Sequence, residues 1–321
     1  MLVIALLIDG AIGDPEPLWR RVAHPVALAG ALIAALDRFL NRPDLAPAQR
    51  RTFGVVTVVI LVIVAVVVGA ALEILFARLR FGWIGTTVVA ATLIAGRGLY
   101  DHVAAVATAF GTGLAEAQQA VARIVGRDPT SLDEAGVCRA AIESAAENFS
   151  DGVVAPALWF ALLGLPGMLV YKAINTADSM IGHMTPRHRD FGWAAARLDD
   201  LLNLPASRLS GALIALAAPL AGGSIMKAWT AMATNARRHR SPNAGWPEAA
   251  MAGALGLALA GPRRYPGVLV DDPFLNANGR REATPDDIRR ALRVYAGACV
   301  LLLIMAAAVA APVLIASSPR W

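Results

Sequence analysis

Cysteine is almost absent: Cys138 and Cys299 are the only two in 321 residues, and no CxxC pair occurs. This argues against a disulfide framework and against a cysteine-based metal cluster. There is no GxxxxGK[ST], no GxGxxG after a strand and no HExxH, so any ATP site here is not a P-loop. Charge is scarce as well. Charged residues make up 17% of the chain against 57% hydrophobic, with a mean hydropathy of +0.55, which is poor in charge for a soluble domain. The net charge of +5 comes from 29 basic and 24 acidic residues. The basic residues are spread over loops between apolar segments, with no Lys/Arg run interleaved with aromatics, so nucleic acid is not an expected partner. Residues 1–8 are apolar but follow no basic region, and Asp9 interrupts them early, so they do not read as a signal peptide.

What the sequence does have is long apolar runs. Residues 52–72 and 294–316 carry no charge, and each exceeds the roughly 20 residues that a bilayer-crossing helix needs. Inside lipid no water satisfies backbone amides, so these runs must be helical. Shorter apolar stretches cover 22–36, 83–96, 152–171, 209–225 and 247–261, the third punctuated by Pro156, Gly164, Pro166 and Gly167 and the fourth by Pro219. Pro and Gly break or kink helices at such places. The expected fold is therefore an all-α polytopic membrane bundle, a single domain over 1–321, with several kinked or re-entrant helices and amphipathic helices on the cytoplasmic side. The polar segments 38–51, 172–208, 227–243 and 263–293 carry a basic excess, while 97–151 sets Arg97, Arg123, Arg127 and Arg139 among more numerous acids; basic loops favour the cytoplasm, and all five are expected on that side. Residues 52–96 then form a helical hairpin, 97–151 a long amphipathic helical stretch, and Thr284-Pro285 a helix start. The polar segments 97–151, 172–208 and 227–293 are where an active site is expected.

Six constellations could carry chemistry. Asp9, Asp14 and His24 flank a Gly13-Asp14-Pro15 turn, which read alone is a turn between two membrane-surface helices. Arg97, Asp101 and His102 follow an apolar stretch, and Arg97 and Asp101 are spaced to pair on a helix. Arg139, Glu143, Glu147 and Asp151 recur every four residues, with Ser144 and Asn148 beside them. Three carboxylates stacked with no interleaved lysine destabilise a helix, which fits either a solvated face or a cation site suited to magnesium. Lys172, Asn175 or Thr176, Ser179 and His183 share a face next to an apolar segment, with Asp178 adjacent, and polar residues at membrane depth are functional by default. Arg197, Asp200 and Asn203 line a further face, with Asp199 beside it. Ser241, Asn243, Trp246 and Glu248 crowd a Pro/Gly-rich turn that opens a small-residue helix, where backbone amides can meet an anion.

The strings GDP with HPV, RGLYDH, GRD at 126–128, ESAAENFSDGVVAPALWF, GLPGMLVYKAINTADSMIGH, FGWAAARLDD and SPNAGWPEAAMAGALG together resemble the adenosylcobinamide-phosphate synthase family, the CbiB/CobD group of cobalamin biosynthesis. They run in the family's order over nearly the full length. Two positions depart from the pattern. The segment after Asn203 reads LPASRL instead of a shorter PARL form, and His183 stands where tyrosine is also common. The resemblance implies ATP-dependent amide-bond formation between adenosylcobyric acid and (R)-1-aminopropan-2-ol O-phosphate, in a multi-pass protein of the cell inner membrane whose site faces the cytoplasm. It also implies ATP and magnesium as co-substrate and activating metal, a corrinoid substrate, and a homo-oligomer or a complex with other late pathway membrane enzymes. On this reading Glu143, Glu147 and Asp151 hold metal or orient the amine, while Lys172, Arg197 and Arg97 neutralise phosphate. Asn148, Asn175, Ser179, Asn203, Ser241, Asn243 and Trp246 contact substrate, as does His183. Asp178 and Asp200 are base candidates, with His24, His102 and Asp14 behind them. Two other classes fit the broken, polar membrane helices: a transporter and a non-catalytic membrane sensor.

Overall fold

The structure, a computed structural model, describes all residues of the chain except 14, 16–18, 127–128, 266–267, 271 and 318–321. Asp14 and part of the 126–128 motif thus lie outside the described residues. Four described helical segments are long and apolar enough to cross a membrane: Pro47–Ala77, Glu134–Ile181, Trp193–Ala221 and Pro285–Pro312. The chain is an all-α membrane protein in class, as its apolar runs require. Its backbone groups into two compact units, Met1–Ala95 with Ala155–Leu204, and Gly96–Val154 with Pro205–Trp321.

The first unit contains α1 (Leu2–Ile12), α2 (Pro25–Leu40), α3 (Pro47–Ala77), α4 (Gly82–Thr92), α8 (Ala155–Ile181) and the first half of α9 (Trp193–Ala217). Its core gathers Ile33, Val58, Leu61, Ile174, Ile181 and Phe191. Helix α2 starts at Pro25, and His24 Nδ1 accepts the Val26 amide at 3.1 Å, a side-chain N-cap. Helices α3 and α4 form the expected hairpin, though α4, at 11 residues, is too short to cross a bilayer.

Helix α8 is interrupted where the Gly/Pro cluster predicts. Gly164 adopts φ 65° and ψ −153°, and Pro166 follows it. The helix resumes at Leu165, whose amide donates to Glu73 Oε1 at 2.9 Å. A carboxylate from the end of α3 therefore caps a helix start inside an apolar segment, where an unpaired amide is costly and the helix dipole favours negative charge. Close approach at this point depends on Gly69, where a Cβ would lie 2.6 Å from Pro166 Cα.

At its other end the unit is held by a polar clamp. Asn41 Nδ2 donates to Asp37 Oδ1 at 2.7 Å and to the Arg187 carbonyl at 3.1 Å. Arg187 donates to Asp37 Oδ2 at 2.6 Å, and Arg50 Nε donates to Asn41 Oδ1 at 2.8 Å. These bonds fasten the loop between α8 and α9 to the end of α2 and the start of α3. Burial alone raises the Asp37 pKa, but hydrogen bonds from Asn41 and Arg187 and the nearby positive charge outweigh it and hold the carboxyl below its ordinary value.

The second unit contains α5 (Gly96–Ala109), α6 (Leu114–Val121), α7 (Glu134–Phe149), a π turn at Ser150–Val154, and the rest of α9 with the 3₁₀ turn Ala218–Ala221. It continues with α10 (Ile225–Asn235), a second 3₁₀ turn at Ala236–Arg238, α11 (Gly245–Leu255) and α12 (Pro285–Ser317). The stretch 97–151, expected as one long amphipathic run, is thus three separate helices. The small-residue segment 247–261 is helical only to Leu255, because Gly256 takes the left-handed conformation at φ 69° that ends helices. Short antiparallel ladders follow, pairing β1 (Leu259–Ala260) with β4 (Phe274–Leu275) and β2 (Arg263–Tyr265) with β3 (Val268–Val270). Helix α11 is buried on every side, and its alanines and glycines let α10 approach: a Cβ on Gly253 would lie 2.7 Å from Ala231 Cβ. Asp287 secures the start of α12 by accepting from the Thr284 amide and hydroxyl, both at 2.9 Å, from Arg280 at 2.6 Å and from Arg290 at 3.0 Å.

Substitution tests both the cap and the clamp. Glu73→Leu removes the cap of the resumed helix and lowers unfolding stability in detergent by about 1–3 kcal/mol. Glu73→Gln, which keeps an acceptor, loses less, and an unchanged Glu73→Leu transition would refute the capping role. The clamp gives an acid limit. Because the folded-state pKa of Asp37 is depressed, its contribution is present above the ordinary carboxylate value and is lost as pH falls through the folded value. Stability should drop below about pH 4, and Asp37→Asn should flatten that part of the profile, as measured by thermal unfolding across a pH series.

Candidate active site

Each unit carries a polar cluster on helices that are otherwise apolar. In the first unit, α8 supplies Tyr171, Lys172, Asn175 and Asp178, and α9 supplies Asp199 and Asn203. The Tyr171 hydroxyl donates to Asn203 Oδ1 at 2.9 Å. Asn203 Nδ2 donates to Asp199 Oδ2 at 3.0 Å, and Asn175 Nδ2 donates to Asp199 Oδ1 at 3.2 Å. The Asp199 carboxylate, 8% exposed, is thus gripped by two amides from two helices, and Asp178 lies within electrostatic reach of it. Lys172 borders a cavity of about 230 Å³ whose other walls are apolar, among them Val26, Leu32, Leu61 and Val68. A buried carboxylate fixed by amides from two helices can bind, orient and move a proton at a reacting group.

The structure separates residues that spacing groups together. Ser179 is exposed and its Oγ donates to the Asn175 carbonyl of its own helix at 3.0 Å, and Thr176 turns likewise to Lys172 O at 2.6 Å. His183 is exposed beyond the helix end. On α9 the inner face carries Asp199 and Asn203, while Arg197 and Asp200 pair at 3.7 Å on the outer side. Asp199 and Tyr171 are the members that spacing does not select. A signal exists for one of them, since Asp199 and Asn203 are four apart beside an apolar run.

In the second unit, Glu143 is 6% exposed and its Oε1 accepts the Ala260 amide at 2.8 Å. Ala260 has φ 58°, unusual for a side-chain-bearing residue, and the buried carboxylate holds it there. Ser144 donates to the Ile124 carbonyl at 2.7 Å, and Asn148 Nδ2 to Ser144 O at 2.9 Å. Glu147 is exposed, and Asp151 lies in the π turn, whose winding is wider than that of an α-helix. Among the described residues, no three His, Cys, Asp or Glu side chains gather as they would around a metal ion. Of the three residues expected to hold metal, Glu143 is buried and accepts a backbone amide, Glu147 is exposed and Asp151 lies in the π turn. Arg97 is engaged by Asp101 at 2.8 Å in an exposed ion pair, and His102 Nδ1 lies 2.7 Å from the Gly98 carbonyl of its own helix.

A knuckle at residues 236–246 completes this unit's polar cluster. Ser241 Oγ accepts the amides of Asn243 and Ala244, both at 3.1 Å, and its own amide donates to His239 Nδ1 at 3.1 Å. Asn243 Oδ1 accepts from Ser207 Oγ at 3.1 Å and from Arg208 Nη1 at 2.9 Å. The Arg208 guanidinium stacks 4.6 Å from the Trp246 ring centre, a cation–π arrangement. Ser241, Asn243, Trp246 and Glu248 all belong to this knuckle or the helix it opens, and Ser207, Arg208 and His239 join them.

With this geometry established, known proteins give the class. A family model described as CobD/Cbib protein matches residues 2–295. The cobalamin biosynthesis protein CobD of Sinorhizobium fredii (strain NBRC 101917 / NGR234) is 52% identical over 322 residues, covering 98% of each chain. Its namesake from Rhizobium meliloti (strain 1021) is 51% identical over 321 residues, again 98% of each. A cobalamin biosynthesis protein CobD of Rhodobacter capsulatus is 48% identical over 299 residues, 92% of each. No solved structure matches the chain. The chain belongs to the CobD/CbiB family.

The two readings of Glu143 separate experimentally. As the partner of the Ala260 amide, Glu143→Ala costs about 1–3 kcal/mol of stability while Glu143→Gln retains most of it. A Glu143→Gln protein that unfolds like the wild type yet loses activity would instead show that the charge itself is needed.

Proposed function

We propose that this protein acts in cobalamin biosynthesis as the ligase that joins the carboxylate of adenosylcobyric acid to (R)-1-aminopropan-2-ol O-phosphate at the expense of ATP, giving adenosylcobinamide phosphate. The observation that carries the reading is the amide-gripped Asp199, with Lys172 and Asp178 on the facing helix, in a chain whose close relatives are cobalamin biosynthesis proteins. Ionisable residues at membrane depth are costly unless used.

A carboxylate does not condense with an amine unaided. One of its oxygens attacks a phosphorus of ATP, and ADP or pyrophosphate leaves. The amine nitrogen then attacks the acyl carbon, phosphate or AMP leaves, and the ammonium proton passes to a carboxylate. Lys172 neutralises the transferring phosphoryl oxygens. Asp178 and Asp199 are the proton acceptors, while Asp200, paired with Arg197, acts at the rim. Magnesium enters with the nucleotide, and its usual oxygen ligands include one or two protein carboxylates. The site faces the cytoplasm of the inner membrane, where nucleotide is found. A homo-oligomer, or a complex with other late pathway membrane enzymes, belongs to the same proposal.

The test is a detergent-purified assay with adenosylcobyric acid, aminopropanol phosphate and Mg-ATP, read by mass spectrometry. Product that requires all three supports the ligase, and release of ADP or AMP identifies the activated acid. Lys172→Ala should lower kcat by about 100-fold, and full turnover in the folded variant would remove Lys172 from the mechanism. The broken helix at Gly164 is what favours a transporter instead. Corrinoid uptake into proteoliposomes with no amide product would decide for it.

A further inference from the structure

Helix α3 carries an arginine–aromatic pair at each end. Its uncharged run, residues 52–72, rises about 32 Å at 1.5 Å per residue, close to the thickness of a bilayer's hydrocarbon core. Just before that run, the Arg51 guanidinium lies 4.4 Å from the centre of the Trp193 ring. Past its end, in the turn into α4, the Arg80 guanidinium lies 5.5 Å from the centre of the Phe81 ring. The two pairs bracket the apolar run, as residues of the two bilayer interfaces do.

The turn at 78–84 is firmly built. The amides of Arg78, Leu79 and Gly82 donate to the carbonyls of Leu75, Phe76 and Leu79 at 3.2, 3.0 and 3.1 Å. Gly85 lets α4 fold back against α3, since a Cβ there would lie 2.5 Å from the Phe76 ring. What the turn displays is mixed in character. Leu79, Phe81 and Trp83 are each half exposed or more, and Arg78 and Arg80 are exposed among them. Among the described residues neither arginine has a carboxylate partner. The nearest acid along the chain, Glu73, accepts the Leu165 amide instead.

Aromatic rings settle between acyl chains and water, and guanidinium groups beside them meet the phosphates of the headgroup layer. A zwitterionic lipid answers its phosphate with its own ammonium, whereas an anionic lipid leaves a net attraction to two unmatched arginines. We propose that the α3–α4 turn is a binding surface for anionic phospholipid headgroups, with Arg78 and Arg80 meeting the phosphate and Phe81 and Trp83 seated at the edge of the acyl chains. The proposal does not depend on the ligase reading: α3 sets this turn at the bilayer face opposite Arg50 and the Asp37 clamp.

The test uses the full-length protein in phosphatidylcholine vesicles that contain a rising fraction of phosphatidylglycerol or phosphatidylcholine brominated high on the acyl chains. Quenching of Trp83 is obtained as the difference between the wild type and Trp83→Phe, which keeps an aromatic ring. Brominated phosphatidylglycerol should associate with Trp83 about two- to fivefold more strongly than brominated phosphatidylcholine, and high salt should reduce the ratio. Arg78→Gln with Arg80→Gln, both at exposed positions, should bring it to about one, while Arg78→Lys with Arg80→Lys, which keeps both charges, should retain most of it. Equal quenching of the wild type by the two lipids would overturn the proposal, as would a preference that survives the double Gln substitution. So would a Trp83 that neither lipid quenches in a protein that the double Gln substitution converts from dimer to monomer, a result that would give the turn to a second copy of the chain.

Discussion

A main-chain amide that cannot reach water or a helical carbonyl must find some other acceptor, and in this chain the acceptor is repeatedly a carboxylate. Glu73 takes the Leu165 amide where α8 resumes, Glu143 takes the Ala260 amide where the chain leaves α11, Asp287 takes the Thr284 amide where α12 begins, and Asp133 takes the Gly136 amide at the start of α7. The last two are local caps; the first two come from distant parts of the chain, and in each the chain changes direction. Four acidic residues of a charge-poor sequence are thus committed to the backbone.

This explains which parts of the molecule can be read from the sequence. Helices α3 and α12 are legible because an uncharged run of that length has only one way to satisfy its amides in lipid. The start of α12 at Pro285 is legible from local capping chemistry. The interruption at Gly164 is half legible: the Gly/Pro cluster marks a break, but the residue that stabilises it is 92 positions away and carries no local signal. The same limit applies to Glu143. Its four-residue spacing from Glu147 and toward Asp151 suggests a shared site, yet spacing cannot reveal that the first carboxylate is taken by a backbone amide 117 residues on.

Asp199 and Asp200 show the limit at its finest. Neighbours on a helix point about 100° apart, so choosing between them requires knowing how the helix is rolled about its axis. The aromatic hydroxyl of Tyr171 and the amide of Asn175 settle that roll from the facing helix. Arg208 is obscured differently, since its partners Asn243 and Trp246 lie more than thirty positions on and are brought up by the fold. The orientation of individual side chains comes from packing.

The joint at Gly164 also constrains how this protein can evolve. Gly69, Glu73, Gly164 and Pro166 serve one another, so no member changes alone without harm. Replacing Gly164 by a residue that restores continuous helix would turn Glu73 from a cap into a carboxylate stranded against apolar packing, and losing Glu73 first would leave the joint open. The quartet is expected to be inherited as a block, or to be lost as one in a lineage whose α8 runs straight.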